Sequence, residues 1–202
     1  MKEIKKKLLC MLCMILAAGT LFAVLPAKNV QAAEKKGLVY SKTKNEYYYY
    51  ADNKKVKNTW KTVNNQKYYF DKNGKAYAAP KIDGTNYNIV VKKIKNKYYG
   101  FDNKARMVKG LNCTIEGKNY YFSTKTGVYS STTTKKYRTA AAYQKDAKTI
   151  KKLLGTPKKT EKTDSCYKPN GVDMTLYYKK YALMIFHDNK TGKEEVFGMM
   201  PL

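Results

Sequence analysis

The stretch that decides the fold is WKTVNNQKYYFDKNG, residues 60–74. β-Branched and aromatic residues favour strands on both sides of residues 64–65, and the two asparagines there tolerate the positive φ of a tight hairpin turn. Tyr68 and Phe70 lie two positions apart, so both side chains point to the same face of a strand. A second turn signal follows at residues 71–74. The stretch therefore predicts a short β-hairpin with an aromatic inner face.

The same pattern recurs along the chain in five blocks of eight residues. In every block the first position is β-branched, the third is Asn or Gly, the sixth is Tyr and the eighth is large and apolar. The sixth and eighth rings are predicted to form the core. Because a lone hairpin is marginal in water, hairpins repeated about every 20 residues favour a solenoid-like stack. A 12-residue step between the third and fourth blocks is interpreted as a local irregularity. The blocks span residues 43–50, 63–70, 82–89, 94–101 and 115–122.

The C-terminal third follows another pattern. Residues 131–137 are polar and are interpreted as a linker. Apolar residues then recur at helical spacing and predict one amphipathic helix over about 139–154, which ends at Gly155. Strand patterns follow at 172–178, 181–187 and 194–199. The fold class expected is mainly β: a stack of hairpin repeats over 37–130, then a small α+β domain over 138–202 with one helix on an antiparallel sheet.

The first 32 residues predict a secretory signal peptide. Four lysines precede an apolar run from Leu8 to about Leu25, and small residues occupy the −3 and −1 positions of a cleavage site after Ala32. An uncleaved membrane anchor is the alternative, since about 18 apolar residues can nearly span a bilayer. Cleavage predicts a secreted protein at the cell wall or cell surface, with no stable membrane anchor.

The charge of the chain is unusual. The formal net charge is +26, and removal of five Lys and Glu3 with the signal peptide leaves +22. Such a charge attracts polyanions over long distances. Arg106 and Arg138 are the two arginines among 41 basic residues, and lysine suits diffuse attraction more than shape-specific phosphate recognition. Teichoic acid is therefore the favoured polyanion. Nucleic acid, or a lysine-rich surface that only confers solubility, remains an alternative.

The inventory of reactive residues argues against an enzyme. His187 is the one histidine, and its spacing from Cys166 and Asp173 suggests no catalytic arrangement. No phosphate-binding loop or metal-ligand spacing occurs, so neither a cofactor nor a metal is expected. Cys113 and Cys166 could pair outside the cell or could remain separate thiols. The sequence leaves that choice open.

Residues 60–74 and 110–122 resemble the cell-wall-binding repeats of Gram-positive surface proteins, a superfamily that contains choline-binding and glucan-binding modules. The resemblance covers about 37–130. It implies stacked hairpins with aromatic ligand sites, and choline sites in this family are aromatic cages that rely on Trp. Here Trp60 alone remains at a repeat start. The position before the tyrosine pair, where the cage needs a second Trp, holds Tyr47, Lys67, Asn86, Tyr98 and Asn119. Residues 138–202 are similar to small α+β modules of secreted Firmicutes proteins, from which no activity carries over.

These observations predict a noncatalytic surface protein. The expected partner is a cell-wall polymer, either teichoic acid or a peptidoglycan-linked glycan, held by lysine charge and by aromatic stacking on sugars. As an alternative, the C-terminal domain binds a protein partner or inhibits an enzyme, while the repeats display it. A scavenger of exported nucleic acid is a third reading. The outward rings are the predicted ligand-binding residues: Trp60, Tyr47, Tyr49, Tyr69, Tyr98 and Tyr121.

Overall fold

The computed structural model describes residues 35–82 and 87–202, so the predicted signal peptide lies outside the described residues. Four antiparallel hairpins follow one another along the first part of the chain, and a two-residue strand extends the first of them. The predicted class, mainly β with short hairpins followed by helix and sheet, is confirmed. The strands are β1 (Gly37–Ser41), β2 (Glu46–Ala51), β3 (Lys54–Lys55), β4 (Thr59–Val63), β5 (Gln66–Phe70), β6 (Ile89–Ile94), β7 (Lys97–Asp102), β8 (Gly110–Cys113) and β9 (Asn119–Phe122).

The hairpin turns lie where the third position of the block predicts them. Asn64 and Asn65 have φ values of 48° and 59° between β4 and β5. Asn45 and Gly117 have positive φ in the first and fourth hairpins. In the third hairpin the positive φ lies at Lys95, one residue before the predicted asparagine. Turn chemistry therefore sets where each hairpin reverses.

The block at 82–89 does not form a hairpin of its own. Its described residues 82, 87 and 88 lie outside strands, and Ile89 begins β6, where it pairs with Asp102 of β7. The block therefore contributes its last residue to the first strand of the next hairpin. This explains the 12-residue step, because two blocks share one hairpin.

Each hairpin is joined to the one before it by a backbone hydrogen bond from the segment that follows it. Ala76 N donates to Tyr47 O at 2.8 Å, Met107 N to Lys67 O at 2.8 Å, and Tyr129 N to Tyr98 O at 2.9 Å. Each acceptor lies on the second strand of the preceding hairpin. This repeated bond stacks the hairpins without forming one continuous sheet.

The predicted aromatic core is present between the stacked hairpins. The eighth-position residues Phe70, Ile89, Phe101 and Phe122 are buried, whereas Tyr50 is half-buried. At the sixth position, Tyr48 and Tyr68 are buried, and the tyrosines of the other three blocks are half-buried. The stacking thus depends most on the eighth position, where a phenylalanine of each of the last three hairpins has no exposed surface.

The predicted linker at 131–137 is wrong, because these residues begin α1 (Ser131–Ala140). Ser130 caps the helix by accepting a hydrogen bond from Thr133 N. Thr134 is 1% exposed, and its hydroxyl accepts from Tyr121 N at 2.9 Å. The polar composition hid the helix because its buried face uses a hydrogen-bonded threonine.

The single helix predicted over 139–154 is also wrong, since α1 ends at Ala140 and α2 (Ala147–Leu154) starts anew. Between them, Gln144 N donates to Val196 O and Val196 N donates to Lys145 O. This strand-like pairing breaks the helix, and Asp146 caps α2 through Lys148 N at 2.7 Å. The following sheet is antiparallel and has the order β10 (Lys159–Asp164), β11 (Gly171–Tyr177), β12 (Tyr181–Asp188) and β13 (Glu194–Pro201).

One hydrophobic cluster joins the last hairpin to the C-terminal elements. Leu111 and Cys113 of β8 lie with Ile150 of α2 and with Leu183 and Val196 of the sheet. The described residues form one compact unit. The division into domains 37–130 and 138–202 stays a prediction. No helix in the described ranges combines the length and the hydropathy that a membrane span requires.

Candidate functional site

Three half-buried rings from two neighbouring hairpins form the candidate site. Trp60 and Tyr69 face each other across the β4–β5 pair, with ring centroids 5.2 Å apart. Tyr99 of β7 meets Trp60 edge-on at 5.0 Å. Behind them, Phe101 stacks on Trp60 with centroids 5.9 Å apart and an interplanar angle of 26°. The buried phenylalanine therefore fixes the tryptophan plane from one side.

Two clefts open beside these rings. The first, here called the aromatic cleft, has a volume of about 470 Å³ and contains Trp60, Tyr69 and Tyr99, with Lys95 and Lys97 exposed beside them. The second, here called the Lys67 cleft, has a volume of about 230 Å³. Its lining consists of Trp60, Lys67, Tyr99, Met107 and Thr126. Ring faces, ammonium groups and a hydroxyl together suit a sugar that carries hydroxyls or negative charge.

The other predicted ligand residues do not join this site. Tyr47 packs against Tyr40 with centroids 4.7 Å apart, and Tyr49 lies 6.1 Å from Phe70. Tyr121 stacks on Tyr137 of α1 at 5.7 Å, with an interplanar angle of 12°. Two of the six predicted residues, Trp60 and Tyr69, are thus brought together, whereas these three lie against other parts of the protein.

Tyr98, the remaining predicted residue, is 48% exposed and lies beside Lys93, whose Nζ is 6.0 Å from the ring centroid. Sequence reasoning missed Tyr99, which it assigned to the core. No sequence signal separates Tyr99 from Tyr48 and Tyr68, since all three occupy the sixth position of a block and the other two are buried.

Lysines of the chain cover many of the tyrosine faces in the repeats. Lys55 Nζ lies 3.7 Å from the Tyr48 centroid, Lys81 Nζ lies 4.6 Å from that of Tyr40, and Lys61 Nζ lies 5.4 Å from that of Tyr49. These are cation–π contacts, so the protein's own ammonium groups occupy the positions that a foreign cation would need. Across residues 35–82 and 87–202, no such contact covers Trp60. Its ring lines both clefts.

The described residues hold no cluster of three His, Cys, Asp or Glu side chains that could bind a metal. His187 Nδ1 lies 3.5 Å from Glu194 Oε1 across the β12–β13 pair. Cys113 and Cys166 are both free thiols, the first buried and the second exposed. Burial raises the pKa of Cys113 to about 12, and its Sγ donates to Met199 O at 3.3 Å. A thiol held in this protonated state is a poor nucleophile.

Comparison with known proteins identifies the repeat. Residues 58–76 match the family model of the cell wall binding repeat, which confirms the resemblance found in residues 60–74 and supports binding to the cell wall. No curated protein gives a match.

Solved structures give weaker likenesses. Choline binding protein F of Streptococcus pneumoniae is 19% identical, with a TM-score of 0.36 over 79% of this chain and 41% of its own. A pneumococcal cell wall endolysin from phage Cp-1, complexed with choline, is 13% identical, with a TM-score of 0.30 over 73% of this chain and 28% of its own. Truncated alternansucrase of Leuconostoc mesenteroides is 18% identical, with a TM-score of 0.30 over 71% and 10%. The chain spans less than half of each structure, and scores this low bear on neither function nor ligand.

Proposed function

We propose that this chain is a secreted, noncatalytic protein of the Gram-positive cell surface that binds a cell-wall polymer, either teichoic acid or a peptidoglycan-linked glycan. The repeats at 37–130 hold the protein to the wall, and the signal peptide at 1–32 exports it. The observation that carries the proposal is the aromatic cleft, which Trp60 lines together with Tyr69 and Tyr99.

The charges around Trp60 favour a neutral or anionic ligand over choline. Lys67 lies in one cleft beside the tryptophan, and Lys95 and Lys97 lie in the other. An ammonium in the lining of a cleft repels a quaternary ammonium, whereas it attracts a phosphate or a carboxylate. Aromatic stacking would hold the sugar, and the lysines would hold the negative charge of the same polymer.

The test is sedimentation of the protein with purified Gram-positive walls, with and without teichoic acid, over a salt series. Choline and soluble glucan are the competitors. We expect binding that salt weakens and that removal of teichoic acid lowers, with little effect of choline. Because the chain has a single tryptophan, its emission reports directly on the aromatic cleft. No binding at low salt would overturn the proposal.

Trp60→Ala is the decisive variant, and Tyr143→Ala is its matched control, since Tyr143 is 60% exposed and lies outside the repeats. Wall binding should fall in the first variant and stay unchanged in the second. Circular dichroism of both variants separates lost binding from lost folding. Unchanged wall binding by folded Trp60→Ala would exclude the aromatic cleft.

A second candidate function, binding of a protein partner by the C-terminal domain, is favoured by one observation. Tyr143 and Tyr167 are 60% and 39% exposed, and Tyr167 meets Phe197 edge-on at 4.9 Å. Exposed aromatic rings in one patch are typical of interaction surfaces. In this case Tyr143→Ala would lower partner capture and leave wall binding unchanged.

A further inference from the structure

A third cleft is lined by residues of the repeats and by Lys179 and Lys180, which lie between β11 and β12. It has a volume of about 600 Å³, and we call it the basic cleft. Asp102 is the one carboxylate in its lining, and the one aromatic side chain there is Tyr87. Its cationic side chains are Lys67, Arg106, Lys109, Lys179 and Lys180.

The single carboxylate is already used by its own hairpin. Asp102 is 2% exposed, and its Oδ2 accepts from Arg106 Nε and contacts Arg106 Nη2, each at 2.7 Å. Its Oδ1 accepts from the backbone N–H groups of Lys104 and Arg106. Asp102 therefore balances the charge of Arg106 and leaves the four lysines of the cleft uncompensated.

Lys180 is the most buried of these lysines. Its side chain is half-buried, and Nζ donates to Asn112 Oδ1 at 3.4 Å and to Lys109 O at 3.5 Å, which are long contacts to neutral acceptors. Within residues 35–82 and 87–202, no carboxylate lies within ion-pair distance of Nζ. Burial lowers the pKa of Lys180. Because a half-buried ammonium without a counter-ion costs free energy, an anion in this cleft would stabilise it.

We propose that the basic cleft binds a phosphodiester group of a polyol-phosphate polymer, at Lys180 with Lys179 and Lys109 around it. This deepens the proposed function and rests on it, because it names which part of the wall polymer is recognised here. Lys67 and Met107 line both this cleft and the Lys67 cleft. One polymer chain can therefore place a sugar against Trp60 and a phosphate at Lys180.

The lining favours a polyol phosphate over a nucleic acid. Proteins that bind single-stranded nucleic acid stack successive bases on aromatic side chains. Tyr87 is the one aromatic residue in the basic cleft, and its hydroxyl donates to Asn112 Oδ1. A backbone phosphate fits this cleft, whereas a row of bases finds no aromatic platform there.

The test is calorimetric titration of the full chain with poly(glycerol phosphate) at low salt. Lys180→Gln should weaken binding about tenfold, the value of one charge-assisted hydrogen bond. Lys162→Gln is the matched control: it removes the same charge from an exposed position on β10 and should change the affinity less than about twofold. Lys179→Gln removes a charge from the same cleft at an exposed side chain. A loss of affinity in this variant therefore does not reflect a loss of folding.

Equal losses in Lys180→Gln and Lys162→Gln would overturn the inference, because binding would then follow net charge alone. Tighter binding of single-stranded DNA than of poly(glycerol phosphate) at equal charge would also overturn it. Failure here is distinguishable from failure of the proposed function. If Trp60→Ala lowers wall binding and Lys180→Gln changes nothing, the wall-binding proposal stands and the phosphate site is excluded.

Discussion

Trp60 of β4 lies edge-on to Tyr99 of β7, with 5.0 Å between the ring centroids, so the candidate site is also a contact between two successive hairpins. Phe101, with no exposed surface, stacks behind the same tryptophan. Trp60 therefore contributes to the stack of hairpins and also lines the aromatic cleft. Changes at Trp60 should therefore affect stability as well as binding.

The first prediction compares two candidate aromatic residues. Trp60→Ala should lower the free energy of unfolding by about 3 kcal/mol, because it removes ring contacts that join two hairpins. Tyr98→Ala should cost less than about 1 kcal/mol, since Tyr98 is 48% exposed. Urea unfolding of both variants measures the difference. Equal losses would mean that Trp60 contributes no more to the stack than an exposed ring does.

The hairpins were predictable because their signals are local. Asparagine or glycine at the turn and rings two residues apart determine the reversal and the inner face, as at Asn64, Asn65, Tyr68 and Phe70. The pairing of Trp60 with Tyr99 was not predictable. It depends on how one hairpin stacks on the next, and no residue near either ring encodes that arrangement.

The wrong predictions for the C-terminal helices have a similar origin. A run of threonines has low helix propensity and no apolar stripe, so α1 was interpreted as a linker. It folds because Ser130 caps it and because Thr134 bonds to Tyr121 N, a partner in another element. Local patterns thus predict elements that stabilise themselves, and fail for elements that depend on a distant partner.

The second prediction concerns Gly100, at the seventh position of its block. A Cβ at Gly100 would lie 2.5 Å from Phe122 Cζ and 2.7 Å from Val108 Cγ2. Gly100→Ala should therefore destabilise the protein by about 1–3 kcal/mol through overpacking between hairpins. Thermal unfolding followed by circular dichroism measures the loss.

Gly37→Ala is the comparison for this variant, because Gly37 has a φ of +78° and nothing within 4 Å of the added Cβ. Gly37→Ala should lower the free energy of unfolding by about 1 kcal/mol, from backbone strain alone. A melting temperature of Gly100→Ala that equals that of the unmodified protein would show that the hairpins can separate locally without cost.

The third prediction uses two aspartates at equivalent positions, each directly after the buried phenylalanine of its hairpin, Phe70 or Phe101. Asp71 Oδ1 accepts from Asn73 N and Lys75 N, as Asp102 Oδ1 does from the corresponding residues of its own turn. Asparagine can retain these bonds at either position. At Asp102, however, it loses the buried pair with Arg106.

Asp102→Asn should therefore lower the free energy of unfolding by about 3 kcal/mol, and Asp71→Asn should lower it by less than about 1 kcal/mol. Chemical unfolding of the two variants at equal ionic strength checks this. Equal costs would indicate that the turn bonds, rather than the ion pair, account for the contribution of Asp102.

The last prediction is a loss of stability at alkaline pH that involves Cys113. Burial raises the pKa of this thiol from 9.0 to about 12, so the unfolded chain releases its proton at a lower pH than the folded protein does. The stabilisation is complete below pH 9.0 and is lost as the pH rises towards about 12. One proton contributes a slope of at most about 1.4 kcal/mol per pH unit. Cys113→Ala lacks this contribution. The difference in the free energy of unfolding between the unmodified protein and this variant should therefore be smaller at about pH 11 than at about pH 8. Urea unfolding of both proteins at the two pH values measures it, and a constant deficit would show that Cys113 ionises equally in the folded and unfolded states.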